Sequence, residues 1–321
     1  KVVPLDLFPS SVLAAITTSK TFTPDQPGDF AGASVDIRTR EFAGRSFLSL
    51  SASMGLNDAV TGSRLGFAPL VSGDRLALGA GDRAVPAGLD GTDWSQTLTA
   101  EQRGTLVGSL RNAWSVQSRA AAPNGSFGAA LGGNVPLGGT GLSYLMSGTY
   151  SASQEARIDE MRALAAPIAS GAAAELDRFE GTTARNSVLW GGIANFSTTL
   201  GSHSKISLNN TYNRTMDNEG RLETGFSENL SLPLEIQRLR YVERRIYSSQ
   251  LGLHHELLAG RLGVDWGVTL SGVSRQEPDR SEIVYTINAA GEREWLGFSN
   301  EAAERTFAGL DESAVQGHLD V

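Results

Sequence analysis

The chain has 321 residues, enough for one large domain or two ordinary ones, with 40% hydrophobic residues, a formal net charge of -8 and no cysteine. The lack of cysteine excludes a disulfide framework and a thiolate metal site, and net negative charge without a basic, aromatic-interleaved stripe argues against a nucleic-acid partner. No window approaches 18 apolar residues, which excludes a membrane-spanning helix, and a chain opening on Lys1 without a signal-peptide pattern reads as a piece of something longer.

In chain order, the first strong signal is Thr21 to Arg40. Pro24 and Pro27 remove backbone donors and Gly28 and Gly32 permit positive φ, so regular structure is expected to stop there. From Ser34, Val35, Ile37 and Thr39 alternate with Asp36, Arg38 and Arg40, which predicts a strand with one ionic face.

Phe47 to Asn57 then alternates Leu48, Leu50, Ala52, Met54 and Leu56 with Ser49, Ser51, Ser53, Gly55 and Asn57. A weaker run spans Phe127 to Val135. The pattern returns in Leu142 to Ser153, with Leu145 as an exception, in Val188 to Leu200, and in Ile206 to Asn213. It closes with Tyr247, Leu251 and Leu253 against Ser248, Gln250 and His254, and with Leu262 to Ser271. These make seven predicted strands, each with one apolar face and one small polar face.

Such alternation suits a soluble β-sandwich and a membrane wall equally, so connection length discriminates. Short breaks at Leu137 to Gly141, Gly201 to Ser204 and Leu258 to Arg261 alternate with long polar segments at Asp58 to Gly125, Gln154 to Asn186 and Arg214 to Arg240. A membrane-spanning barrel sorts its connections this way, with tight turns at one end and long loops at the other. The first long segment carries Trp94 and Trp114, which predicts partial order within it.

At this point the residues resemble a known family. Leu5 to Ser10, Lys20 to Gly32 and Ser34 to Arg40 look like the end of the plug domain of TonB-dependent outer-membrane receptors. Weaker likeness continues through Ala122-Pro123-Asn124 before a strand, Tyr241 to Arg245 at the start of another, and Gln276 to Arg280 on the last; Ala33 stands where the family usually has glycine.

The resemblance implies an all-β fold: the C-terminal part of a plug domain in 1–42, then the first part of an outer-membrane antiparallel β-barrel in 43–321. Its seven strands would leave open edges before Phe47 and beyond Ser271. It implies a short helix at Ser10 to Ile16, a strand at Thr17 to Phe22, and Thr23 to Gly32 as the reversing loop. Glu41 to Arg45 would lead into the barrel, with Asp36, Arg38 and Arg40 pairing with wall groups.

The implied function is active import of a scarce solute (siderophore, vitamin, oligosaccharide or peptide) across the outer membrane of a Gram-negative bacterium. The implied partners are the TonB complex, outer-membrane lipid, an extracellular ligand and a surface lipoprotein. A passive pore or adhesin on a similar wall is the alternative, distinguished by the segment Leu5 to Arg40, for which a pore has no use.

Chemically suggestive residues are weighed against plainer readings. His254-His255-Glu256 resembles a metal fragment, but adjacent strand side chains diverge and no third ligand stands at a recognisable spacing. Asp90 to Asp93 and Asp217 to Gly220 complete no calcium loop and read as solvated turns. Gly132-Gly133 and Gly191-Gly192 lack a dinucleotide-binding context and read as close approaches in a curved wall. No catalytic, cofactor or metal residue is predicted, and the substrate-binding residues stay unassigned.

Overall fold

The computed structural model describes residues 13–22, 34–39, 46–93, 97–137, 140–167, 173–258, 261–299 and 302–321. Strand β1 (Leu13–Ser19) pairs antiparallel with β2 (Ser34–Thr39), setting Ile16 opposite Ile37. This corrects the helix expected at Ser10 to Ile16, which is strand from Leu13 onward. The β-branched run Ile16-Thr17-Thr18 loses rotamer freedom in a helix and suits a pleated pair. β2 begins at Ser34, where the alternation begins. The reversing loop, Glu41 to Arg45 and the side chains of Asp36, Arg38 and Arg40 lie outside the described residues.

The remaining strands are β3 (Phe47–Gly55), the short β4 (Arg64–Phe67) and β5 (Gln117–Ala120), β6 (Asn124–Leu137), β7 (Thr140–Pro167), β8 (Ala173–Leu200), β9 (Ser204–Ser227), β10 (Leu232–Leu257), β11 (Leu262–Ile287), β12 (Arg293–Trp295) and β13 (Ala303–Asp320). Nine of them form one antiparallel sheet in the order β3, β6, β7, β8, β9, β10, β11, with β12 and β13 both along the far side of β11. Among the described residues the sheet is open, because β3 and β13 do not pair with each other.

Two expectations are corrected. The segments Gln154 to Asn186 and Arg214 to Arg240 are not irregular loops: β7 and β8, and β9 and β10, continue through them in nearly unbroken register. At ~3.3 Å per residue a strand of 28 residues reaches roughly 90 Å, about three times the thickness of a hydrocarbon layer. The expected edge beyond Ser271 is also displaced, since β11 runs to Ile287 and is covered by β13 from Asp265 to Ile283.

Directly opposed residues share a face. Register therefore assembles the alternating rows into two continuous surfaces. On one, Tyr144 faces Phe196, Phe196 faces Leu208, Leu208 faces Leu251 and Leu251 faces Val268. Leu48, Leu131 and Met146 form a parallel row, and Leu270 and Trp266 meet Val315 and Leu319. The other surface carries Ser51, Ser126, Ser151, Ser197, Asn209 and Gln250. Leu145, the exception in its strand, lies on this polar face and is buried with Ala130 and Ile193.

The described residues of the Asp58 to Gly125 segment are folded, and Trp94 lies outside them. It contains β4 and β5 paired antiparallel, a 3-10 turn at Ser72–Leu76, α1 (Ala87–Asp90) and α2 (Ala100–Gly108). Thr99 and Gln102 cap α2 reciprocally, each side-chain oxygen accepting the other's backbone N–H at 3.2 and 2.8 Å. Phe67, Val60 and Ala121 bury against Ala184 of β8, so the segment folds onto the sheet. It does so on the face that carries the apolar rows. Gly220 permits the close approach: a Cβ there would lie 2.6 Å from Ala68 N and 2.8 Å from Phe67 C.

Candidate functional site

The apolar rows remain uncovered at the end of the sheet nearest the short turns. Leu48 is 69% exposed, Met54 74% and Val315 75%, and Phe127, Leu208, Leu251, Val268 and Leu270 are also exposed on this face. The belt crosses all the long strands. It is far larger than the scattered leucines of an ordinary surface. Its polar interruption, Asn210 and Ser249, is internally satisfied, with Ser249 Oγ donating to Asn210 Oδ1 at 2.8 Å and Asn210 Nδ2 donating to Ala194 O at 3.0 Å.

An aromatic row bounds the belt above. Phe127, Tyr150 and Trp190 are cross-strand neighbours, as are Tyr212 and Tyr247, and the Trp190 and Tyr212 rings meet at 5.5 Å. Beyond that row the same face becomes polar and is covered by the 58–123 segment. Ala77 buries against Val188, Met216 and Tyr241. The Tyr241 hydroxyl donates to Glu243 Oε2 at 2.9 Å and accepts Gly79 N–H at 3.0 Å. Ala80 N–H donates to Glu243 at 3.2 Å, and Arg214 pairs with the same carboxylate. Burial first, and the Glu243 charge second, push the Tyr241 hydroxyl far above its ordinary range. It is a fixed neutral donor and has no base chemistry at physiological pH.

The opposite face of the upper sheet is ionic. Arg185 donates to Glu219 at 2.9 Å, Arg244 to Asp217 at 2.9 Å, and Ser187 Oγ also to Asp217 at 2.7 Å. Glu277, at a bulge in β11, accepts from Arg240 at 2.8 Å and Arg275 at 2.5 Å. These groups border a cleft of about 490 Å³ lined by Arg238, Arg240, Arg280, Glu219, Glu282 and Glu304. Arg238 pairs with Glu282 and Arg240 with Glu277, so the cleft presents guanidinium forks and carboxylates already in ion pairs. Such a surface can recognise a polar ligand by exchanging these pairs.

The structure redistributes the sequence candidates. Asp217 to Gly220 is not a solvated turn but mid-strand in β9, with Asp217 and Glu219 in the ion pairs above; Gly there serves packing rather than reversal. Asp90 ends α1 and Gly91 caps it, as a surface turn. His254 Nδ1 lies 2.7 Å from Asp265 Oδ1, while His255 Nδ1 lies 2.7 Å from Ser204 Oγ, each imidazole taking a different neighbour. A Cβ at Gly191 would lie 2.9 Å from Asn213 Cα and one at Gly133 2.7 Å from the Tyr144 hydroxyl, both close approaches. Tyr241 to Arg245 lies within β10 rather than at its start. The residue set that sequence reasoning missed is Tyr241, Glu243 and Arg214. The Tyr-Val-Glu spacing puts the first two on one face, but only register brings Arg214 to them.

The acid response of the ionic face has a defined sign. Hydrogen bonding from Arg240, and then the charges of Arg240, Arg275 and Arg280, outweigh burial and hold the Glu277 carboxyl below its ordinary range. A depressed pKa adds stability above the unfolded value of about 4.3, lost as pH falls through the folded value. Amide hydrogen exchange should show β10 and β11 beyond the belt loosening on acidification below about pH 4, with Glu277→Gln flattening that response. An unchanged profile in the variant would assign the acid response elsewhere.

Comparisons with protein-family models, curated proteins and solved structures each found no match.

Proposed function

We propose that this chain forms wall and plug segments of a TonB-dependent receptor in the outer membrane of a Gram-negative bacterium, importing a scarce solute. One observation carries the reading: a continuous, uncovered apolar belt on one face of a sheet whose other face is polar. Among the described residues no second sheet packs on the belt, as a soluble sandwich would require. The described long connection agrees with this reading, since the folded 58–123 segment stands at the end of the sheet opposite the three-residue turn 201–203 between β8 and β9. The β1 and β2 pair supports a plug remnant. The ionic cleft, on the face that would line the lumen, is the candidate ligand-contacting surface. Import would draw on the TonB complex acting through the plug, with no bond chemistry in this chain.

The experiment is labelling with a lipid-confined reagent in bilayers. Cysteine at Val264 should react and cysteine at Asp265 should not, because the two alternate across the wall. The reverse pattern would overturn the orientation, and equal reaction would overturn the membrane wall itself.

A further inference from the structure

We propose that residues 72–80 form a lipid-contacting ledge, resting Leu76 and Leu78 at the boundary between acyl chains and headgroups of the outer leaflet. This rests on the membrane reading above. The ledge is hung from the aromatic row by two hydrogen bonds: Trp190 Nε1 donates to Leu76 O at 2.7 Å, and the Tyr150 hydroxyl donates to Arg75 O at 3.0 Å. Its height on the sheet is therefore fixed at the upper limit of the belt. It lies on the belt's own face.

Side-chain direction then follows from burial. Asp74, Ala77 and Gly79 are buried toward the sheet, whereas Arg75, Leu76 and Leu78 turn outward, with Leu76 53% and Leu78 45% exposed. The left-handed conformation of Ala77, φ 53°, sets this direction. Asp74 and Arg83 hold it, joined at 2.7 Å, with Arg83 also bonded to Gly79 O at 3.1 Å and Pro69 O at 3.2 Å. Two leucines turned outward beside Trp190 and Tyr150 continue the apolar belt by one step. Aromatic side chains with one apolar body and one polar tip favour that level of a bilayer, and Arg75 beside them can meet lipid phosphate. Lipid is the occupant because the belt below the ledge would already be in lipid, leaving a protein partner no separate surface.

The chain has no cysteine, so single labels report single positions. The whole chain would be reconstituted in phosphatidylcholine and phosphatidylglycerol vesicles carrying a nitroxide quencher near the headgroups or deep in the acyl chains. Bimane would be attached at Leu76→Cys, Leu78→Cys, Val268→Cys in the belt, and Val107→Cys on exposed α2. Shallow quencher should dim bimane at 76 and 78 several-fold, deep quencher should dim 268, and 107 should stay bright. If 268 is quenched while 76 and 78 behave like 107, the ledge is wrong and the wall stands. If 268 is not quenched, both readings fall. Equal quenching at 107 would replace the ledge with general adsorption of the segment.

Discussion

Replacing Val268 with arginine should destabilise the membrane-inserted sheet by about 2–4 kcal/mol, as a guanidinium near the midplane of a lipid-facing strand does. Val268 lies in the central row of the belt, between Leu251 on β10 and Gly317 on β13. The magnitude is itself the discriminator. Val268 is 39% exposed, so if its face met water the same change would stay within about 0.5 kcal/mol. Thr269→Arg, on the other face between Gln250 and Gln316, is the matched control and should be nearly neutral. Denaturant unfolding of the reconstituted protein, followed by tryptophan fluorescence, measures both. A neutral Val268→Arg with a costly Thr269→Arg would reverse the wall.

Asp74→Ala should cost about 3–5 kcal/mol, because it leaves the Arg83 guanidinium buried without its charge partner. The loss should be local. Asp74 accepts two hydrogen bonds from Arg83 and one from Val71 N–H, and Arg83 stacks 4.0 Å above the Tyr241 ring. Removing the carboxylate therefore loosens the attachment of 58–123 to the sheet while the strand ladders beneath persist. Hydrogen exchange should show lost protection in 60–83 with β8 to β10 unchanged, and Asp74→Ala with Arg83→Met should recover part of it, since removing both charges leaves none unpaired. Equal loss across the sheet would mean that the segment and the sheet fold as one unit. The exposed Asp82→Ala should have no measurable effect.

Seven strands were legible because period-two alternation is a local property, readable wherever an apolar face opposes Ser, Thr, Asn and Gly. The upper halves of β7 to β10 escaped for the same reason. Stretches such as Asn213-Arg214-Thr215-Met216-Asp217 alternate by charge and partner rather than by hydropathy, and ion pairing across strands is invisible until register is known. β13 was missed because Leu310-Asp311-Glu312 breaks its pattern, and only Val315 and Leu319 mark its apolar row. The helix that the resemblance implied at Ser10 to Ile16 gave way from Leu13 onward because the β-branched Ile16-Thr17-Thr18 run favours the pleated pair with β2.

The candidate site divides along the same line. By itself the sequence determined the all-β class, the apolar and polar rows, the short turn after β8, and the absence of cysteine chemistry, since composition and spacing along the chain suffice for each. The tertiary structure decided which rows join into one belt, that residues 58–123 fold back over the same face, and that Tyr241, Glu243, Arg214 and Gly79 share one network. Those facts depend on residues up to 163 positions apart, and antiparallel register, which carries no signature in any single strand, is what brings them together.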